Sequence, residues 1–385
     1  MKFLIAVFSI FTSSLSFGQT VYSFINELDS AGIVQLVRDL SGEDSTTVNG
    51  TRVLITNRAS SSGNDIAADY IKERLISYNL DVSDIPFNSN GRNIVSKLTG
   101  TINPDSIYLI CGHYDAVGNH GADDNASGTA AILEAARVMS QGQFENSVVF
   151  ALWDEEETGL NGAKDYAQQA FIDGDKILGV LNLDMIGYDG DNDHEFDIDV
   201  RDIANSYQMR DDLLQLLIDY DIDLIANIVD PGTPDSDHSA FWNKGYSAVL
   251  VGEAWSNNDI TPGYHTPNND RISLFNFGYF YQMVRLATGY IVTKANPAPV
   301  TAINNSSSSN TSLAYPNPTK NALTINCDNC KNGHFQIIDV LGVIIDSGSL
   351  NLENQINTAH LPSGFYSLLI TIDSGFSNKT PFIKE

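Results

Sequence analysis

Apolar positions recur along the chain in two different rhythms, and the change of rhythm outlines its parts. In "NDIAADYIKERLISYNL" the residues Ile66, Tyr70, Ile71 and Leu75 share one face at helical spacing. "ASGTAAILEAARVMS" predicts a helix beginning close to Asn125, and "MRDDLLQLLIDY" predicts another. Between such stretches lie four short apolar runs: "SIYLICG" (106–112), "SVVFALW" (147–153), "ILGVLNL" (177–183) and "YSAVLVG" (246–252). Runs without polar alternation predict strands buried on both faces. Strands of that kind alternating with helices predict an α/β domain whose mostly parallel central sheet carries helices on both faces.

The pattern breaks at "ANPAPVTAINNSSSSNTS" (295–312), where Pro, Ser and Asn dominate without any apolar period, as in a flexible linker. Beyond it, "ALTINC", "HFQIID", "GVIID" and "GFYSLLITI" are short strand-like runs separated by Asn, Gly and Ser. They predict a small all-β sandwich. At the other end, "MKFLIAVFSIFTSSLSFGQ" has a lysine, a short apolar run and then small and polar residues, the pattern of a secretory signal. The run falls short of the roughly 20 apolar residues a membrane-spanning helix needs, and no later segment is apolar enough to span. The expected organisation is therefore a signal peptide over 1–18, an α/β domain over 19–294, a linker over 295–312 and a β-domain over 313–385.

Composition adds exclusions. The 385 residues are 42% hydrophobic, enough for a core in each of two domains. A formal charge of -27 argues against nucleic acid or an anionic membrane as a partner, but it names no substrate. Of three cysteines, Cys327 and Cys330 in "CDNC" are candidates for a small-loop disulfide. A zinc ribbon would need a second such pair. Cys111, inside an apolar run, reads as a core residue.

The chemistry-bearing residues cluster at the ends of the predicted strands. His113 follows the first, Glu155, Glu156 and Glu157 the second, and Asp184 the third; His265 lies in the loop after the fourth. In a parallel sheet the carboxyl ends of the strands share one edge, where ligands bind. Residues far apart in sequence are thus expected to meet there. Imidazole and carboxylate without thiolate suit a catalytic zinc site better than a structural one. A bound metal would also offset the negative charge that "GHYDAVGNHGADDNASG" carries into an apolar setting.

Six fragments, "GHYD", "GADDNASGTA", "WDEEETGLNGA", "LNLDMIGY", "SDHSAFW" and "YHTPNND", stand in an order that resembles the M28 family of co-catalytic zinc aminopeptidases. The resemblance covers roughly residues 30 to 295. It implies a zinc exopeptidase fold and two Zn²⁺ per chain, with Asp124 bridging both ions, His113 and Asp184 completing one site, and Glu157 and His265 the other. It implies that Asp115 orients the His113 imidazole and that the peptide after Asp124 is cis. The family pattern Glu-Glu-any-Gly-Leu makes Glu156 the general base and Glu157 the ligand; a slip of one residue would give those roles to Glu155 and Glu156. Tyr264 matches a tyrosine that donates to the developing oxyanion in some relatives. Asp237 and His238 match a motif near the site, without direct metal contact.

The implied function is a secreted enzyme that removes amino-terminal residues from peptides. Metal-activated water would attack the scissile carbonyl, and Glu156 would shuttle its proton. On the same fold, alternatives are a glutaminyl-cyclase-like acyltransferase, which works with one zinc, a carboxypeptidase or dipeptidase, and a non-enzymatic binding module. The tail's "YPNP", "IIDVLG", "LPSGFYSLLI" and terminal "FIKE" resemble the carboxyl-terminal sorting domain of the type IX secretion pathway of Bacteroidetes. That implies bacterial export through the periplasm to the surface or medium, with the type IX machinery as partner. Other polar features read as structural. His120, His194, His334 and His360 carry no expected role. "DGDNDHEFD" (189–197) alternates acids like a calcium loop but has His194 at position six and Val200 at position twelve, so a solvated acidic loop is expected. The sequon at Asn125 would place a glycan in the site, so glycosylation is not expected there.

Overall fold

The computed structural model describes residues 20–298 except 267, together with 313–315, 318–326, 333–338, 344–350, 355–371 and 377–384. The expected signal peptide, most of the expected linker, Cys327 and Cys330 lie outside the described residues. The described residues up to 298 belong to one compact unit and those from 313 to a second.

In the larger unit, helices α1 (Val21–Asn26) and α2 (Ser30–Leu40) precede a hairpin of β1 (Thr46–Val48) and β2 (Thr51–Val53). Then follow α3 (Ser61–Ser77), β3 (Val82–Pro86), β4 (Arg92–Leu98), β5 (Asn103–His113), α4 (Gly128–Met139), β6 (Asn146–Trp153), α5 (Asn161–Asp173) and β7 (Lys176–Leu183). The unit continues with β8 (Glu195–Asp199), α6 (Ser206–Asp219), β9 (Ile225–Val229), α7 (His238–Trp242), β10 (Ala248–Glu253) and α8 (Phe277–Ala295). Eight strands form one sheet in the order β3-β4-β6-β5-β7-β10-β8-β9. The inner strands β6, β5, β7 and β10 run parallel. They coincide with the four apolar runs. Pairings β3–β4, β4–β6 and β10–β8 are antiparallel and β8–β9 is parallel.

Alternate residues of the inner strands enter two cores, which is why those strands read as unbroken apolar runs. Along β6, Val148, Phe150 and Leu152 join the core under α2, α3, α4 and α8. Val149, Ala151 and Trp153 face the opposite core with α5 and α7. Outer strands carry polar residues instead: in β8, Phe196 and Ile198 are core residues while Asp197 and Asp199 alternate with them. Helix α3 buries Tyr70, Ile71 and Leu75 as expected, and Ile66 is partly buried. Helix α4 starts at Gly128, three residues later than expected, because Asp124 and Asn125 have non-helical backbone angles in a tight turn spanning Ala122–Ser127. Residues 296–298, at the start of the expected linker, still pair with 143–145 through backbone hydrogen bonds.

The second unit is all-β. Leu313–Tyr315, Ala322–Asn326 and Gln355–Asn357 make one antiparallel sheet. Ile344–Ser349, His334–Ile338, Gly364–Thr371 and Ser377–Lys384 make another. One core containing Leu323, Ile337, Ile356, Leu368 and Phe382 fills the unit, as the small sandwich requires.

Candidate metal centre and substrate cavity

The parallel strands deliver the expected residues to one edge. His113 ends β5, Asp184 directly follows β7, and the loop after β6 carries Glu155 to Glu157. Asp124 comes from the tight turn before α4, and His265 from the loop after β10. The Asp124–Asn125 peptide is cis. Asn125 is fully buried, with its amide donating to the Leu183 carbonyl and its oxygen accepting from Gly128 N–H, so no glycan fits there.

Each oxygen of Asp124 faces a different histidine. His113 Nε2 lies 3.3 Å from Asp124 Oδ1 and 3.3 Å from Asp184 Oδ1. His265 Nε2 lies 3.3 Å from Asp124 Oδ2 and 3.1 Å from Glu157 Oε2. Ligand atoms of His113, Asp124 and Glu157 all fall within 4.8 Å of one another. Two imidazole–carboxylate pairs thus share one carboxylate. Asp115 accepts the amides of Glu156 and Glu157 on its two oxygens, at 3.1 and 3.2 Å, and faces His113 Nδ1 at 3.5 Å. Glu155 turns away, accepting from Asn88 and Asn161.

The electrostatics mark a surplus of carboxylate. Burial, joined by Asp237, Asp184 and Glu157, pushes Glu156 up to about 10. Burial and Asp124 push Glu157 up to about 8. Burial opposes a charged His113, yet Asp184, Glu156, Asp115 and Asp124 raise its pKa well above the ordinary value. Burial also opposes ionisation of Asp124, but His113 and His265 hold its carboxyl below the usual range. Glu157 Oε1 is buried with no hydrogen-bond partner. Orphaned buried acceptors, like-charged neighbours and a donor set of two imidazoles and three carboxylates fit divalent cations.

The centre opens into a cavity of about 780 Å³ whose lining includes Glu156, Asp184, Tyr264 and His265. The Tyr264 ring stacks on His265 at 3.9 Å and meets Trp255 edge-on at 4.8 Å. Burial and the acids around it raise the Tyr264 pKa above the ordinary range. Beneath the site, Asp237 is fully buried, and neither of its oxygens has a hydrogen-bond partner among the described residues. His238 instead bonds the Thr233 carbonyl and meets Trp242 edge-on; burial drives its pKa down to about 3.

Several supports carry no signal readable from one chain. Arg58, 1% exposed, donates to the carbonyls of Leu40, Tyr114, His120 and Gly121. It is a buried cation near Asp124 and Asp115, so the negative charge has a protein counterpart as well. Asp270, the last residue of "YHTPNND", accepts the amides of Asp123 and Asp124 at 2.9 Å each and so clamps the turn. Ser236 donates to Asp184 at 2.6 Å and accepts from Asn182. Away from the centre, His120 bonds the Ser41 carbonyl and Arg271, and His194 pairs with Asp223. His334 meets Ser349 and His360 meets Asp346. In the acidic loop, Asp189 and Asp191 approach Asp259, but Asn276 and the Gly190 amide bond within the cluster. Cys111 is a buried free thiol against Asn182.

Comparison with known proteins gives relatives in sequence and in fold. A probable zinc metalloprotease of Pyrenophora tritici-repentis is 32% identical over 164 residues, 36% of this chain and 34% of the relative. Leucine aminopeptidase 1 of Trichophyton equinum is 27% identical over 237 residues, 57% of this chain and 62% of the relative. The chain therefore spans from about a third to somewhat under two thirds of the length of these relatives. Among solved structures, the LapA aminopeptidase of Legionella pneumophila superposes with a TM-score of 0.61 at 21% identity, covering 72% of this chain and 74% of that one. That likeness is one of fold. Residues 313–384 match the secretion system C-terminal sorting domain. Residues 93–287, just over half of the chain, match peptidase family M28 and include every residue of the centre. The chain belongs to peptidase family M28.

Proposed function

We propose that the protein is an exported two-zinc aminopeptidase, releasing amino-terminal residues from peptides. The observation that carries the reading is Asp124, whose two oxygens face two separate imidazole–carboxylate pairs. His113 and Asp184 would hold one ion and Glu157 and His265 the other, with Asp124 shared. Bound there, zinc would supply Lewis acidity toward the scissile carbonyl and the attacking water. Glu156 takes the water's proton and returns it to the leaving amine, a base and then an acid. The bonds of Glu155 to Asn88 and Asn161 support this register over the alternative one. Asp115 holds the His113 ring through Nδ1 and fixes the loop bearing Glu156. Tyr264, in the cavity wall, donates to the oxyanion. The acid-rich surroundings favour a substrate whose α-amine is free and cationic.

In the same reading, residues 19–294 are the enzyme, 295–312 the linker, and 313–385 the segment recognised by the type IX machinery for delivery to the surface or medium. The match to a sorting domain supports this. The test is a panel of aminoacyl-p-nitroanilides beside their N-acetylated counterparts, with zinc counted per chain. Turnover of the free-amine set alone with two zinc ions per chain is the expected result. Silence on both sets, with one zinc and cyclisation of amino-terminal Gln, would replace the reading with an acyltransferase.

A further inference from the structure

The cavity wall beyond the metal centre is formed by β8, and its chemistry is unusual for a face meant to take an apolar side chain. Asp197 and Asp199 alternate with the core residues Phe196 and Ile198, so both sit on the strand face opposite that core. Both line the cavity. Their ladder partners on β10 are Gly252 and Leu250. Gly252 has no side chain to cover Asp197, and a Cβ there would come within 2.7 Å of the Asp184 carbonyl.

The two carboxylates differ in how they are satisfied. Asp197 accepts from Ser256 N–H at 2.7 Å and from Ser256 Oγ at 2.6 Å. Asp199 accepts only from Thr233 N–H, at 2.7 Å on Oδ1; no hydrogen-bond donor among the described residues meets its other oxygen. Asp199 is 7% exposed and lines the cavity. Burial pushes its carboxyl up to about 6, with the like charge of Asp197 adding to the rise and Thr233 N–H and the Arg201 charge opposing it. Arg201 reaches Asp199 only through its charge, and no cation among the described residues hydrogen-bonds that carboxylate. Arg201 donates twice to the Gly232 carbonyl and stacks over Trp242. In the described lining, Lys164 donates to the Gly159 carbonyl and His265 faces Asp124 and Glu157. Asp235 adds a further acid at the exposed rim.

We propose that this wall is a recognition site for a cationic side chain, so that the favoured amino-terminal residue is lysine or arginine. The inference rests on the aminopeptidase reading and names its substrate class. An apolar side chain seated there would leave the second Asp199 oxygen without a donor, whereas an ammonium or guanidinium makes a charge-assisted hydrogen bond to it. Leu250, Val229 and Trp255 in the same cavity suit the apolar stem of such a residue.

The test compares the p-nitroanilides of lysine, arginine, Nε-acetyl-lysine and norleucine on the zinc-loaded full chain. Lysine and arginine are expected to exceed both neutral analogues in kcat/KM by about tenfold or more. Asp199→Asn should collapse the ratio of lysine to norleucine kcat/KM measured on one preparation. A ratio of two substrates on one preparation does not depend on how much of it is folded, and the parent-enzyme comparison stands even if the variant does not fold. Neutral analogues cleaved as well as lysine, or a lysine preference that survives Asp199→Asn, would overturn this inference and leave the aminopeptidase reading intact. Turnover of none of the four by zinc-loaded protein would instead remove the aminopeptidase reading on which it rests.

Discussion

Glu155, Glu156 and Glu157 are chemically identical, and the backbone separates their roles. Glu155 sits at φ 56° with its side chain on Asn88 and Asn161, whereas the amides of the next two are held by Asp115. Glu156→Gln keeps size and hydrogen bonding but cannot accept a proton. It should bind zinc as the parent does, by elemental analysis, and lose about a hundredfold or more in kcat. Substantial residual turnover would place the base elsewhere. Arg58 offers a second test. Arg58→Met leaves the carbonyls of Leu40, Tyr114, His120 and Gly121 without their buried donor. A loss of about 3 kcal/mol or more is expected in urea denaturation; an unchanged midpoint would show that other donors replace the guanidinium. The arginine was not legible beforehand because nothing local distinguishes it from a surface arginine.

At the scale of elements, legibility followed the apolar composition of each strand. Strands β5, β6, β7 and β10 read as apolar runs, while the edge strands β3 and β9 and the interior strands β4 and β8 mix polar and apolar positions and do not. Helix α4 starts later than expected because no local signal in the chain marks the non-helical backbone at Asp124 and Asn125. The departure at Asp124 and Asn125 depends on Asp270, a distant residue holding two amides. The start of α3 is similarly constrained: a Cβ on Gly63 would fall 1.8 Å from the Asn57 carbonyl, beside Arg58. Gly63→Ala should therefore cost about 1 kcal/mol or more in chemical denaturation. It should also weaken zinc binding in a competition titration, because displacing Asn57 shifts Arg58 and the turn it anchors. Unaltered zinc affinity would uncouple α3 from the centre.

For the whole molecule, the acid surplus links stability to pH and metal. Glu156, Glu157, Asp199 and Asp270 all have folded-state pKa values above their ordinary ones, chiefly through burial. Each holds a proton that the unfolded chain releases near pH 4, so between the two values stability falls as pH rises. His113 and His265, raised by their acid neighbours, add to the same trend above their ordinary value. Chelated protein should thus melt at progressively lower temperature from pH 5 to 8, and zinc should restore most at the upper end, because ligands bind metal deprotonated. A chelated Tm that is flat or rises over that interval would contradict the charge surplus. Deletion of 313–385 should leave the purified peptidase active and abolish surface delivery in its native host; loss of purified activity would make the second unit part of the enzyme. The sequence by itself determined the fold class, the inner strands and the kinds of side chain gathered at the sheet edge, because periodic burial and residue chemistry are written locally. The tertiary structure alone decided which arginine enters the interior, which distant acid clamps the turn at Asp124 and which acids face the cavity. Those are through-space neighbours, set by strand order and by loops that meet across more than a hundred residues of chain.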